Sequence, residues 1–228
     1  MTISFTPKVH KHGCCPLCLS FTLEPYFNDK FRPYYSCPHC TLVSVPSSAY
    51  LTSKKEKAEY DKHDNGYADD GYRRFLNRTW QPLLDHLKTM NNFSELKGLD
   101  FGCGEGAVLS KMALDAGIKI DNYDLYYHYH PELLNKRYDF IILTEVIEHI
   151  ADAKALVQQL KKMLNPKGII AIMTKRLIDR EAFSRWHYKN DLTHINFYSD
   201  NTFQWIAEQN SWSLKFVDKD VVFLIASN

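Results

Sequence analysis

From Leu99 onward, short apolar runs alternate with stretches whose apolar residues recur at helical spacing. Ile118 to Asp124, Tyr138 to Thr144 and Ile169 to Thr174 read as strands. Between them, Ala107 to Ala116 places Val108, Met112 and Ala116 on one helical face, and Ala151 to Leu164 does so with Leu156, Leu160 and Leu164. Asn165-Pro166-Lys167-Gly168 stops the second of these helices. Farther on, Asn201 to Gln209 is predicted helical with Phe203, Ile206 and Ala207 facing inward. Trp212 to Val217 and Val221 to Ala226 then form a hairpin about Asp218-Lys219-Asp220. Upstream, Phe75 to Lys88 offers Leu76, Leu83, Leu84 and Leu87 to a sheet. Strands and helices alternating at these lengths imply a parallel sheet with helices on both faces.

The run Leu99-Asp100-Phe101-Gly102-Cys103-Gly104-Glu105-Gly106 joins a strand to a helix through glycines at every second position. Glycine removes Cβ where the chain turns sharply and lets a ligand approach backbone N–H groups. The spacing is G-x-G-x-G and not the G-x-G-x-x-G of a dinucleotide fold, and the turn holds no basic residue. Its acids, Asp100 and Glu105, suit a zwitterionic or cationic ligand better than a phosphate. Asp124 ends the next strand about twenty residues later, where a ribose diol wants a carboxylate.

These residues resemble the class I S-adenosylmethionine-dependent methyltransferases over roughly residues 60 to 228. Asp100 to Gly106 matches the cofactor loop, Asp124 the ribose acid, Tyr138-Asp139 through Glu148-His149-Ile150 the strand and turn beneath the methyl donor, and Leu164 to Ile170 the helix-to-strand turn. The resemblance implies a Rossmann-like, seven-stranded α/β sheet whose last two strands are an antiparallel hairpin. It implies donor contacts from Asp100, Gly102, Cys103, Gly104, Gly106, Asp124, Thr144 and Glu145. Residues 49–92 would be a linker and helical lid, with Tyr60, Tyr67, Tyr72 and Arg73 reaching the donor's carboxylate and sulfonium. The interval from Asp124 to Asp139 departs from the family, being short for a helix plus a strand. Either the third strand is vestigial or the adenine edge is read by backbone around Leu133-Leu134.

A separate signal precedes this domain. Cys15-Pro16-Leu17-Cys18 and Cys37-Pro38-His39-Cys40 are two C-x-x-C pairs, able to present four thiolates to one tetrahedral structural Zn²⁺. Residues 1–48 thus read as a zinc ribbon, closed by Val45-Pro46-Ser47-Ser48, with Lys8, His10, Lys11 and His12 a small basic patch beside it. A disulfide pairing lacks secretory context, and a thioredoxin motif lacks its βαβ setting. Thr52 to Lys57 reads as a linker or helix start. Cys14 is the spare thiol, and Cys103 packs in the glycine turn.

With 228 residues, 45% of them hydrophobic, the chain suffices for a ribbon and one α/β domain, and no apolar run reaches membrane-spanning length. A cytoplasmic location is expected. The formal net charge of +1 gives no global footprint for nucleic acid.

The strand from Phe140 to Leu143 is followed by neither an Asn-Pro-Pro-Tyr nor a Pro-Cys motif, which argues against base-amine, glutamine and pyrimidine-C5 chemistry. Candidate catalytic groups are His149 and Glu145 after that strand, and His194 in the long insertion Trp186 to Tyr198. That insertion mixes Trp186, Tyr188 and Asp191 with the histidine, a lining suited to a polar, partly planar substrate. Tyr126 to Pro131, with His128 and His130, reads as a surface or pocket-edge loop. The leading expectation is methyl transfer to a small-molecule or metabolite acceptor. Alternatives are an RNA methyltransferase gripping its substrate through the ribbon, and an inactive zinc-ribbon binding protein. The oligomeric state is left open.

Overall fold

The computed structural model describes residues 13–62, 66–90 and 92–227. The basic patch at Lys8, His10, Lys11 and His12 lies outside them. The two C-x-x-C turns have the same backbone. Leu19 N–H donates to Cys15 O at 3.0 Å and Thr41 N–H to Cys37 O at 2.8 Å. Leu19 and Thr41 both take the left-handed region, at φ 62° and 58°. Between the turns run antiparallel β1 (Glu24–Asn28) and β2 (Pro33–Ser36), followed by β3 (Val43–Ser44). Two helices come next, α1 (Ser53–Tyr60) and α2 (Asp70–Leu87), the latter capped by Asp69, whose side chain accepts from Gly71 N and Tyr72 N.

The main domain continues with β4 (Gly98–Phe101), α3 (Val108–Asp115), β5 (Ile120–Tyr123), β6 (Tyr138–Thr144), α4 (Ala153–Met163) and β7 (Leu164–Met173). It closes with α5 (Arg180–Arg185), β8 (Asn196–Phe197), α6 (Asp200–Asn210), β9 (Trp212–Phe216) and β10 (Val221–Ala226). The sheet order is β5-β4-β6-β7-β10-β9, parallel from β5 to β7, with β10 antiparallel to both its neighbours. This is the expected α/β architecture with six strands instead of seven. The segment after Asp124 forms only a 3₁₀ turn, Pro131–Asn135, because a parallel crossover needs a dozen or more residues before its strand begins. That turn covers the sheet edge: Leu133 and Leu134 are buried, and their carbonyls accept from Tyr138 Oη at 3.1 Å and Gln159 Nε2 at 2.6 Å.

Side chains alternate across the sheet as the pleat requires. On β6, Ile141 and Leu143 face a core shared with α4 and α6, while Phe140 and Ile142 face the core of α2 and α3. α2 contributes Leu76, Trp80, Leu83, Leu84 and Leu87 to that second core, so it packs on the sheet through the leucines its pattern offers.

The ribbon does not stand apart. Its sheet runs β1-β2-β3-β8, so its fourth strand comes from the insertion after β7. Cys15, Leu17, Cys37, Cys40 and Leu42 share the first core with Leu99 and Ile141, and Lys154 N–H at the start of α4 donates to Pro16 O at 3.0 Å. A third cluster welds the two parts through Phe183 of α5, whose ring meets Tyr26, Phe27, Tyr34 and Phe197 at 5.0–5.8 Å between centroids. Truncating this 1%-exposed ring should lose both transfer energy and packing. Phe183→Ala is expected to lower stability by about 3–5 kcal/mol in urea unfolding.

Candidate active site

After β4 the chain passes to β5 on one side and then crosses back to β6 on the other, so a crevice opens above the carboxyl ends of β4 and β6. The glycine turn lines it. Gly102 sits at φ +81°, and a Cβ there would lie 2.5 Å from Val146 Cγ2, so the turn and the loop after β6 touch only because that atom is missing. Gly104, at φ +63°, faces open space on the same turn. Gly106 lies in the last residues of the turn, and Ala107, at φ +42°, begins α3 with no side-chain cap.

Asp124 is held against this turn. Its Oδ2 accepts Gly104 N–H at 3.1 Å, and its Oδ1 accepts Tyr126 and Tyr127 N–H at 2.8 and 3.1 Å. Three of its roughly four acceptor positions are used, which leaves one for a hydroxyl above the turn. Asp100 lies beneath, fully buried, and burial followed by the charge of Asp124 pushes its carboxyl up to about 7. The same field acts on Tyr72, pushed up to about 12 by burial and then by Asp100 and Cys103. Cys103 is buried in the turn, its thiol 3.5 Å from Gly104 O.

The other half of the crevice is acidic and histidine-rich. Thr144 ends β6 with a buried Oγ1 lacking a hydrogen-bond partner. Glu145 follows at φ +52°, its N–H bonded to Met173 O at 2.8 Å. Glu148 is completely buried. Its Oε1 accepts from Tyr188 Oη at 2.5 Å while Oε2 has no partner. Burial raises Glu148 to about 7 against the pull of Tyr188, and burial plus the charge of Glu148 raises Glu145 to about 8. His149 and His194 meet with ring centroids 4.7 Å apart. Burial and then His149 press His194 down to about 3, so this ring is neutral at pH 7.

Arg32 of the ribbon hairpin holds the insertion over this cluster. Only 3% exposed, its guanidinium donates to the carbonyls of Lys189, Asp191, Leu192 and His194 at 2.7–3.0 Å, and to Tyr34 Oη at 3.1 Å. Nothing in the stretch Phe31-Arg32-Pro33 signals this role, because its partners lie about 160 residues away. Helix α1 lies across both halves, its Tyr60 ring against Tyr126 at 5.9 Å and against His149 at 5.4 Å.

The sequence profile of the family described as Methyltransferase domain matches residues 72–214. The chain belongs to that family. It is a SAM-dependent methyltransferase. Among curated relatives, the ubiquinone biosynthesis O-methyltransferase of Rickettsia prowazekii is 25% identical over 215 residues, 77% of this chain and 84% of that protein. Its counterpart in Dinoroseobacter shibae is 32% identical over 114 residues, covering 39% of this chain and 44% of that one. By structure, the 1,6-didemethyltoxoflavin-N1-methyltransferase of Burkholderia thailandensis overlays with TM-score 0.50 at 14% identity, over 90% of this chain and all 100% of that one. The magnesium protoporphyrin IX methyltransferase of Synechocystis PCC 6803 overlays at 0.51 and 14%, covering 77% and 95%. At such identities the overlays speak to the fold alone.

The methyltransferase brings Asp100, Gly102, Cys103, Gly104, Gly106, Asp124 and Tyr72 together at one end of the crevice. Thr144, Glu145, His149 and His194 gather at the other. Tyr67 and Arg73 are not brought there. The Tyr67 hydroxyl bonds Asp115 at the far end of α3, about 12 Å of helix from the glycine turn, and the Arg73 guanidinium bonds Asp70 and Tyr67 O. Pairing with an acid one turn back on its own helix keeps Arg73 on the outer face of α2.

The four ribbon thiols lie within 4.8 Å of one another, with Cys15 Sγ to Cys40 Sγ and Cys18 Sγ to Cys37 Sγ both at 3.4 Å. Tetrahedral Zn²⁺ with bonds near 2.3 Å would set its sulfurs about 3.8 Å apart, so these donors fit that ion, and the separations are too long for disulfides.

Two outcomes follow. Ionising buried Asp100 costs stability once the pH exceeds its unfolded value of 3.8, and the cost grows until about pH 7. At 1.36 kcal/mol per pH unit its ceiling is about 4 kcal/mol. Asp100→Asn should therefore stabilise the ligand-free protein by about 1–3 kcal/mol at pH 8, and the gain should vanish near pH 4 in thermal melts. Arg32→Met should lower kcat at least tenfold with Kd for SAM within twofold, and Arg32→Lys should not rescue it, because one ammonium cannot reach four carbonyls.

Proposed function

We propose that this methyltransferase carries its methyl group to a hydroxyl of a small, polar, partly planar metabolite. The observation that supports this most is the roof. Arg32 holds residues 189–194 in place, which sets Tyr188 against Glu148 and His194 against His149, so the acceptor end is lined by carboxyl, imidazole and phenol groups instead of by a basic groove. The named relatives act on small molecules where their names state a substrate, and a net charge of +1 offers little to a polyanion.

In this reading, SAM supplies an activated methyl on a sulfonium. Asp124 holds the ribose diol with its remaining acceptor position, and Gly104 admits the donor where a Cβ would intrude. Asp100 and Tyr72 face the methionine end. Thr144 Oγ1 and Glu145 mark the boundary between donor and acceptor. His149 and His194 stand beside the acceptor's hydroxyl, each ring oriented by a backbone carbonyl: His149 Nδ1 by Thr193 O at 3.1 Å and His194 Nδ1 by Tyr188 O at 2.8 Å. Cys15, Cys18, Cys37 and Cys40 hold a structural Zn²⁺ that keeps the hairpin bearing Arg32 in place.

The test is transfer of radiolabel from SAM into an extract of the source cells, followed by separation of small molecules, RNA and protein. Label in the small-molecule fraction is the expected result, and Asp124→Ala should raise Kd for SAM at least tenfold. Label that follows RNA and disappears with ribonuclease would overturn the acceptor class.

A further inference from the structure

The acceptor end carries a feature that proton transfer alone does not use. Glu148 is 0% exposed, and its Oε2 lacks any hydrogen-bond partner. Leaving a buried carboxylate oxygen unmet costs more than almost any other local defect, so such an atom points to a group that would meet it. Around it, one donor atom each from Glu148, His149 and His194 lies within 4.8 Å of the others, and Glu148 Oε1 stands 3.9 Å from His149 Nε2.

The histidines are prepared in a specific sense. A carbonyl oxygen can only accept, so the Thr193 and Tyr188 carbonyls fix a proton on Nδ1 of both rings. With the proton held on Nδ1, Nε2 is the nitrogen of each ring whose lone pair can meet a cation. Holding Nδ1–H on a backbone carbonyl is the usual way to orient an imidazole whose other nitrogen binds a cation. Glu145 supplies a second carboxyl: its backbone is in the left-handed region, three residues before Glu148, and its carboxyl feels the charge of Glu148. A left-handed glutamate costs about 1 kcal/mol or more, which a functional placement would justify.

We propose that Glu148, His149 and His194, completed by Glu145, form a binding site for a divalent first-row cation that holds the acceptor's oxygen. The inference rests on the acceptor reading proposed above and deepens it, since it names the group that holds and activates the hydroxyl. Donors at about 2.1 Å from one ion lie roughly 3.0 Å apart when adjacent, so the Glu148 Oε1 and His149 Nε2 pair, at 3.9 Å, closes by about 0.9 Å when the ion binds, a shift within the reach of side-chain rotation. Mixed carboxylate and imidazole donors suit Mn²⁺, Fe²⁺, Co²⁺ or Zn²⁺, whereas the four ribbon thiolates select zinc. The two sites are therefore chemically separable. The cation's role is to lower the pKa of a bound hydroxyl. The O–H bond gives its proton to water, the oxygen pair forms the new bond to the methyl carbon, and the pair of the breaking C–S bond stays on sulfur.

The test uses the full chain with its ribbon loaded with zinc and with neither SAM nor acceptor present. Mn²⁺ is titrated in, and the free ion is followed by electron paramagnetic resonance alongside calorimetry. One Mn²⁺ per chain is expected, with Kd at least tenfold weaker in Glu148→Gln and in His194→Asn, and with a rise in Tm on adding Mn²⁺ that Glu148→Gln abolishes. Glu145→Gln, at a less enclosed position, should weaken binding too and serves if a core variant misfolds. SAM binding is measured separately on the metal-free protein. No Mn²⁺ bound beyond the ribbon, or binding unchanged in Glu148→Gln and Glu145→Gln, would overturn the cation site while leaving the acceptor reading to its own assay. Failure of SAM to bind alongside normal Mn²⁺ uptake would count against the functional reading and not against this site.

Discussion

The guanidinium of Arg32 is a full positive charge placed where almost no water reaches, and it is tolerated because four carbonyl dipoles and a tyrosine hydroxyl converge on it. Those carbonyls belong to residues 189–194, a segment with little regular structure of its own. Asp29 completes the arrangement, accepting from Tyr34 Oη at 2.8 Å and standing 3.9 Å from Lys189 Nζ. The shape of the loop is thus set from the ribbon, and His194, Asp191 and Tyr188 take their positions from it. A small cysteine-rich hairpin becomes part of the crevice at long sequence range.

Its rigidity has a counterpart in the knuckles. Thr41, just after the last ribbon cysteine, hydrogen-bonds Ser199 Oγ at 3.0 Å and Thr202 Oγ1 at 3.1 Å, at the capping box that starts α6. β3 pairs with β8 on the other side of the same junction. A change at the cysteine cluster would therefore reach both the loop above the crevice and the helix below it. The crevice in turn stores unfavourable terms that this scaffold must hold: buried carboxyls at Asp100 and Glu148, the half-buried one of Glu145, and two non-glycine residues at positive φ, Ala107 and Glu145. Such terms concentrate where a ligand is to be met, because they are relieved only when it arrives.

Much of the fold was legible in the chain. β6 runs from Tyr138 to Thr144 as its unbroken apolar pattern predicts, and the closing hairpin falls within a residue of its expected limits. The glycine turn and its acid were readable because turns of that kind depend on local backbone sterics. Less legible was the stretch just before and at the start of α2: its density of tyrosines and charges suggested donor contacts, yet Tyr67 and Arg73 bond away from the turn. Aromatic and charged residues serve equally as lid or as outer helix face, and composition cannot separate the two.

What the sequence by itself determined were the features that depend on neighbours along the chain: element types, the left-handed turn positions, the paired cysteines, and the acid twenty residues past the glycines. Only the tertiary structure decided which distant groups share one dry space. The meeting of Glu148 with Tyr188, of His149 with His194, and of Arg32 with the loop that carries them depends on packing across some 40 to 160 residues of chain. No local pattern encodes such contacts, because the energy that selects them comes from burying the whole core at once.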